Sequence, residues 1–424
     1  MASNINPANP IFGNPTTQSV RDNFQAAHDE ITALQATVAT APYLPTSGGT
    51  MTGPMILAGD PTNPLGAVTK QYSDAKAPVN SPTFTGDPKA PTPASGDNDT
   101  SIATSAFVQA AVAPALNGVG RNLIHNSMFN VAQRGPGPTA ITSIGVYFTD
   151  RWAGLIGGAG DALTTSMVAH TDASRAAIGD EAATQFLSNS ITGGSGAANF
   201  CQIFQRIEGA RRLANKTVTV SFWANAGTAL SIGLAIGQAL GTGGSLVTDT
   251  APKVVVLSPT WTRYSVQFTV PSLAGKTLGT DYSYTVLKFW LSAGANVAAA
   301  AGIGVQSGTI NIWGVQVEIG SVLTPLEKPD PRYDLSNCQR FFYVGNFYNA
   351  SYATVGGITF AQPSNLPVTM RASPTVTPTY TVQTNCGSST VTSVSLSTLN
   401  VATSNIGAGV NWVLQGSYTA SADL

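Results

Sequence analysis

The sequence predicts a mainly β protein with one N-terminal helix. Three observations carry this. From Arg121 onward, short runs alternate between apolar and polar residues and are separated by Gly, Pro and Asn. A helical period occurs over one long stretch, Thr17 to Thr40. Between them a small Gly/Pro-rich unit is written twice. The chain divides on this basis into 1–43, a helical coiled coil; 44–120, a shaft of two repeats; 121–331, a β-sandwich; and 332–424, a small β-rich tip.

Composition narrows the function classes. Charged residues make up 10% of the 424 residues, against about 25% in an ordinary globular domain. The hydrophobic share is 43%, which excludes a disordered chain. A net charge of −1 offers neither a basic stripe for nucleic acid nor a polybasic membrane patch. The most membrane-like run, Leu230 to Leu240, is Gly-interrupted and far short of a span, so no membrane insertion is expected. Three widely spaced cysteines, Cys201, Cys338 and Cys386, suit neither a disulfide scaffold nor a zinc cage. They fit a protein made in a reducing cytosol with its thiols buried. So little charge on a soluble chain suggests that other chains cover much of its surface.

In the first segment, Val20, Phe24, Ala27, Ile31, Leu34 and Val38 recur at alternating steps of four and three, which is a heptad seam. Ser19 with Asp22 resembles a capping box. A helix of this length is marginal alone in water, and the Pro-rich and Gly/Pro-rich flanks give it nothing to pack on. Self-association is therefore expected. The mixed apolar set does not fix the number of strands.

The repeats come next. Thr50-Met51-Thr52-Gly53 is answered by Thr83-Phe84-Thr85-Gly86. Thr69, Tyr72 and Ala75 are answered by Thr104, Phe107 and Ala110. Each unit ends in a Thr-capped segment, "TKQYSDA" or "TSAFVQA", expected to form a helical turn or two. Neither unit has enough apolar residues for a core of its own, so each needs a neighbour. Identical chains around an axis supply one, and the unit reads as a step of a rod.

In the sandwich, "TVTVSFWANAG" places Val218, Val220 and Phe222 on one face and Trp223 on the other. Tyr264, Val266, Phe268 and Val270 share a face, as do Leu287, Phe289 and Leu291, opposite Lys288 and Trp290. The same parity groups Trp313 with Val315, Val317 and Ile319. Several strands with one apolar face imply two packed sheets. A Pro-rich hinge, "TPLEKPDPRYD", precedes a capped helical turn in "DLSNCQRFFYV", and then short strands run to Leu424.

The motifs "LPTSGGTMTGPMILAGDPTNPLGAVTKQYSDA" and "APVNSPTFTGDPKAPTP…IATSAFVQAA" resemble the shaft repeats of tailed-bacteriophage tail fibres. "NLIHNSMFNVAQRG…YFTDRW", "QRIEG", "VTVSFWA" and "WGVQVEIGSVLTPLE" resemble a jelly-roll module of such fibres that is similar to carbohydrate-binding modules. "CQRFFYVG…LPVTMRASPTVT" with "YTASADL" resembles their terminal segment. The resemblance implies an intertwined homotrimeric virion fibre, made in the host cytoplasm. Its N-terminus would attach to phage tail, baseplate or collar proteins, and its distal part would attach to a host surface polysaccharide. It leaves open a purely structural collar or head fibre, an adaptor that docks a second fibre, and a capsule depolymerase.

No catalytic constellation is legible. His28, His125 and His170 lack metal-ligand spacing, and nucleotide-binding and nucleophile-elbow motifs are missing. No cofactor or metal is expected. Asp150, in "TDRW", is expected to pair with Arg151 or cap a turn, and Glu208 to be structural. Saccharides are held by an aromatic ring under the pyranose C–H face and by amides on the hydroxyls. Strand parity nominates Trp223 and Trp290, with Asn225 and Lys288. Trp313 and Trp152 are expected in the core. A competing site is a tip loop after Phe342 carrying Tyr343, Phe347, Tyr348 and Tyr352.

Overall fold

The computed structural model describes residues 17–40, 56–60, 62, 67–74, 86–94, 97, 99–112, 120–143, 145–246 and 249–424. The chain forms two compact units, Met1–Ala90 and Pro91–Leu424. In the first, α1 (Thr17–Thr40) is one continuous helix. Ser19 lies inside it rather than capping it, and Asp22 instead accepts from Gln18 Nε2 at 2.7 Å. Helix α2 (Lys70–Asp74) starts at Thr69, whose hydroxyl accepts from Tyr72 N and donates to Asp60 Oδ1.

In the second unit, α3 (Ser105–Val112) starts at Thr104 in the same way. Thr104 Oγ1 accepts from Phe107 N and donates to Thr92 Oγ1. The repeated Thr-x-x-aromatic spelling thus produces the same N-cap twice. The turn Thr50–Gly53, residues 83–85 and Ala75 lie outside the described residues, as do residues 1–16.

Twelve strands follow. They are β1 (Thr139–Ile141), β2 (Val146–Thr149), β3 (Trp152–Gly157), β4 (Ala162–Ala169), β5 (Gln185–Thr192), β6 (Phe200–Glu208), β7 (Thr217–Ala226), β8 (Ser231–Ala239), β9 (Lys253–Val256), β10 (Thr262–Thr269), β11 (Tyr284–Ala293) and β12 (Gly308–Ile319). Helix α4 (Asp172–Ile178) follows β4 and α5 (Ala298–Ala301) follows β11. The strands form two antiparallel sheets, β1-β4-β5-β12-β7-β10 (the first sheet) and β2-β3-β6-β11-β8-β9 (the second). The chain crosses repeatedly from one to the other, giving a sandwich of the jelly-roll kind.

The inner faces carry the alternation read from sequence. Val218, Val220 and Phe222 of β7 meet Leu287, Phe289 and Leu291 of β11 in one core, where the Phe222 and Phe289 rings stand 5.3 Å apart. Trp152 is fully buried there, as expected.

One parity expectation fails. β12 carries a bulge between Trp313 and Gln316, where Gly314 adopts φ 62. The extra residue reverses the faces along the strand. Ile310 and Ile312 point inward before it, and Val317 does so after it. Trp313 faces outward, directly opposite Trp223.

Beyond the sandwich, α6 (Pro331–Gln339) starts earlier than the sequence suggested. Asp330 caps it by accepting from Arg332 N, with Pro331 in the first turn. Part of the expected hinge is therefore helix. Strands β13 (Phe342–Ala353), β14 (Thr359–Asn365), β15 (Thr375–Thr384), β16 (Cys386–Ser393), β17 (Thr398–Asn405) and β18 (Val410–Ser421) complete two three-stranded sheets, β13-β18-β15 and β14-β17-β16. They enclose a second core around Phe347, Leu399, Trp412, Leu414 and Tyr418.

Among the described residues no helix is long and apolar enough to cross a membrane. Cys201 and Cys338 are buried free thiols, while Cys386 is half-buried.

Candidate functional site

A sandwich has two outer faces, and here they differ in what lies on them. The outer face of the second sheet is occupied by the chain itself. At one end Tyr147 OH and Arg206 Nη1 both donate to the carbonyl of Leu424. Arg134 pairs with Asp423 and lies 3.6 Å over the Phe342 ring. Arg371 Nε donates to Ala422 O. At the other end the α5 turn covers Trp290, which is 7% exposed and packs against Phe200, Ala293, Ala301 and Ile303. The cover is close: a Cβ at Gly233, the residue opposite Trp290, would stand 1.8 Å from Ala301 O. Trp290 is thus a packing residue. Lys288, on the same face, is engaged in an ion pair with Asp249 at 2.5 Å.

The outer face of the first sheet is covered in part by residues 320–326, which bury Thr219, Ser221, Gln316 and Glu318, and carries a row of rings beside them. Register places Phe186 opposite Val168, Trp313 opposite Trp223, and Trp223 opposite Arg263. His170, at the end of β4, and Trp261, just before β10, fold onto this row. His170 lies 4.8 Å from Phe186, 5.2 Å from Trp261 and 5.9 Å from Trp313, and Phe186 is 5.2 Å from Trp261. Trp313 is completely covered and is edge-on to Trp223 at 5.3 Å. The Arg263 guanidinium lies 4.6 Å over Trp223 and is fixed by Ser221 Oγ and Thr324 O. Trp313 and His170 are therefore supports, while Phe186, Trp223 and Trp261 remain partly exposed.

Burial and then Arg175 lower the His170 pKa to about 4, so the ring is neutral at neutral pH. Its Nδ1 is 2.9 Å from Ser174 Oγ, and Nε2 is buried without a partner.

Beside the rings runs a polar row. Ser166 faces Ser188, Ser188 faces Asn311, and Asn311 faces Asn225. Three interstrand steps make this row roughly 14 Å long. Asn311 Nδ2 donates to Asn225 Oδ1 at 2.8 Å, and Asn311 Oδ1 is buried with no partner. Flat apolar rings next to oriented amides and hydroxyls form the surface that a saccharide requires. The rings cover C–H faces and the amides take hydroxyls.

Of the sandwich residues nominated from sequence, the fold brings Trp223 and Asn225 together and separates them from Trp290 and Lys288. Phe186, Trp261, His170 and Asn311 were missed. Trp261 and Arg263 have the outward parity of their strand, so the parity argument already held the signal for Trp261. Phe186 and Asn311 alternate in the same way with Leu187 and Ile312.

The tip expectation is corrected. Residues 342–353 form strand β13, not a loop. Phe347 is 7% exposed and packs on Tyr380 at 5.9 Å, so it is core. Tyr343 packs on Tyr418. Tyr348 and Tyr352 alternate with these and are exposed. Tyr348 borders a cleft of about 440 Å³ lined also by Asn349, Phe360, Gln362 and Trp412.

Asp150 and Glu208 are held by other side chains. Asp150 does not pair with Arg151: it is fully buried, and its oxygens accept from Gln133 N and Nε2 at 2.6 Å. Burial raises its pKa. Glu208 holds Arg340 through both oxygens at 3.1 Å.

No family model and no curated relative matches the sequence. Among solved structures the chain is similar to the enzymatically active domain of tailspike protein 4 of bacteriophage CBA120, at 14% identity and TM-score 0.29. That match covers 47% of this chain and 22% of the tailspike chain, about a fifth of its length. It is also similar to a CBM4 structure (18% identity, TM-score 0.27, 46% of this chain and 99% of the other). A third is a family 11 carbohydrate-binding module from Clostridium thermocellum, solved with a β-1,3-1,4-mixed-linked tetrasaccharide (13% identity, TM-score 0.26, 44% and 96% covered).

Proposed function

We propose that this chain is a bacteriophage tail fibre whose sandwich binds a polysaccharide of the host surface without cleaving it. The observation that carries the binding site is the partly exposed strip on the outer face of the first sheet, where Phe186, Trp261 and Trp223 adjoin Asn311 and Asn225. Trp223 and Trp261 stack on the sugar, the asparagines order its hydroxyls, and Trp313 with His170 hold the rings in place. Single contacts of this kind give millimolar affinity, about −4 kcal/mol. Multiple copies raise avidity roughly 10²–10⁴-fold. Binding is salt-tolerant, because rings and amides carry it.

The carrier is a parallel homotrimer. Phe24, Ile31, Leu34 and Val38 are 58–72% exposed along the seam of α1, with Val20 and Ala27 completing it, and their burial needs other copies of the helix. Analytical ultracentrifugation of the full chain should give three times its mass. A stable folded monomer at micromolar concentration overturns this part.

The glycan experiment is an array probed with the full chain. Trp223→Ala and Trp261→Ala should each weaken binding about tenfold or more. Wild-type binding that survives both changes would move the site to Tyr348 and Tyr352. No binding by the wild type would leave a structural or adaptor fibre. Incubation with a bound polysaccharide should leave its chain length unchanged, and shortening would restore the depolymerase reading.

A further inference from the structure

A cavity of about 250 Å³ lies between the sandwich and α6, lined by Asn122, His125, Arg151, Arg212, Tyr333, Asn337, Arg340 and Phe341 with three acidic residues. Its deepest cation is Arg151, which sits at φ 70 and is 3% exposed. The guanidinium stacks 3.4 Å over the Phe341 ring, and Nη2 donates to Arg206 O. Its Nε and Nη1 are buried and have no partner, and neither does His125 Nδ1. An unpaired buried guanidinium is among the most expensive groups a fold can hold.

The acids of the cavity do not relieve it. Glu327 accepts from Gly120 N and Asn122 N, and Glu208 is held by Arg340. Asp334 accepts from Asn126 N, and burial raises its pKa. Two further arginines, the exposed Arg212 and the half-buried Arg340, stand at the mouth. The positive field is felt at His125, whose pKa is lowered to about 3 by burial first and then by Arg151, Arg212 and Arg340.

We infer that this cavity binds a small oxyanion, a carboxylate, sulfate or phosphate group, between Arg151 and Arg212. Planar guanidinium donors match such groups in geometry and charge. A small shift of the Arg151 side chain brings its buried Nε and Nη1 to the anion, which also draws Arg212 inward over the mouth. The source is either a free ion or the acidic substituent of a saccharide. This inference is independent of the ring face of the first sheet.

The test is calorimetric titration of the full chain, at constant ionic strength in chloride, with sodium sulfate, inorganic phosphate, sodium acetate, glucuronate and glucose. At least one oxyanion should bind once per chain, while chloride and glucose should not. Arg151→Met should weaken binding roughly tenfold or more, the loss of charge-assisted hydrogen bonds. Arg212→Ala, at the solvent-exposed mouth, should weaken it several-fold without affecting folding, which keeps the test valid if Arg151→Met unfolds. As a second readout, the His125 ring followed by NMR should titrate at higher pH in the presence of the bound anion. Glucuronate binding more tightly than acetate assigns the source to an acidic sugar, and sulfate or phosphate binding most tightly assigns it to a free ion. Absence of binding by all four oxyanions, or equal binding by wild type and Arg212→Ala, overturns the inference.

Discussion

Trp223 and Trp290 stand at matching places in the two sheets. Each lies on an interior strand, and each points away from the shared core. Each is flanked in sequence by inward residues, Phe222 and Ala224 for one, Phe289 and Leu291 for the other. Their surroundings differ. Trp290 is sealed beneath a turn that begins only a few residues after its own strand, made possible by the bare backbone at Gly233. Trp223 is gripped on one side by Arg263 and edge-on by Trp313, and stays partly open. Alternation tells which face a ring occupies. Whether that face meets solvent depends on segments outside the strand, near in sequence for Trp290 and remote for Trp223.

The sharpest break of the comparison is truncation of each ring. Trp290→Ala empties a closed cluster and should cost about 3–5 kcal/mol of stability in denaturant unfolding. Trp223→Ala should cost roughly half as much or less, and should instead weaken glycan binding. Equal losses of stability would mean that the two faces are equally closed.

The glycines under each ring come next. Gly233→Ala drives a methyl into Ala301 O and should destabilise by about 1–3 kcal/mol, measured by thermal unfolding. Gly314→Ala meets Trp223 Cε3 at 2.9 Å from a positive φ. It should cost about 1–2 kcal/mol and also lower glycan affinity, because it displaces a ring of the proposed site.

Acid sharpens the comparison further. The folded pKa of His170, about 4, is depressed below the unfolded value of about 6.5. Its neutral ring therefore stabilises the fold above pH 6.5, and this contribution is lost as pH falls from 6.5 to 4. Asp150 and Asp334 act in the opposite sense, since burial raises their pKa values and the folded state holds their protons longer. The difference in stability between wild type and His170→Phe, followed from pH 7 to 4, isolates the histidine and should shrink on acidification. The smallest effect belongs to the covered face. Asp249→Ala removes the partner of Lys288 and should change stability by about 1 kcal/mol or less, leaving glycan affinity unaltered.

Much of the sandwich was legible where the inner residues of a strand alternate regularly, as in β7 and β10. Val218, Val220 and Phe222 needed only the period of a strand. Trp313 is buried as expected, but its face was misread because one extra residue at Gly314 reverses the faces, and a Gly within a strand was the available warning. The ring face was half legible. Trp223 and Asn225 followed from parity, but His170 and Trp261 join them only because the end of β4 and the start of β10 meet over the same part of the sheet. No local pattern reports that. The tip failed differently: "FYVGNFYNASYA" alternates inward and outward, and its Asn content was read as loop. The segment that packs on Tyr147 and Arg206 was invisible, since Leu424 and those residues are distant along the chain.

Glu327 ties the place where the chain comes into the sandwich to the place where it leaves. Its oxygens take Gly120 N and Asn122 N, Arg121 Nη2 reaches Pro325 O at 2.6 Å, and Leu123 N bonds Val317 O at 3.0 Å. This arrangement has a mechanical consequence. Tension applied along the chain at 120 and at 328 is borne by this short clasp and by the end of β12, and bypasses the strands before it. The sandwich can keep its surface undistorted while the clasp holds, because the hydrogen bonds of the carboxylate at 327 take up such a pull ahead of the sheets' interior strands.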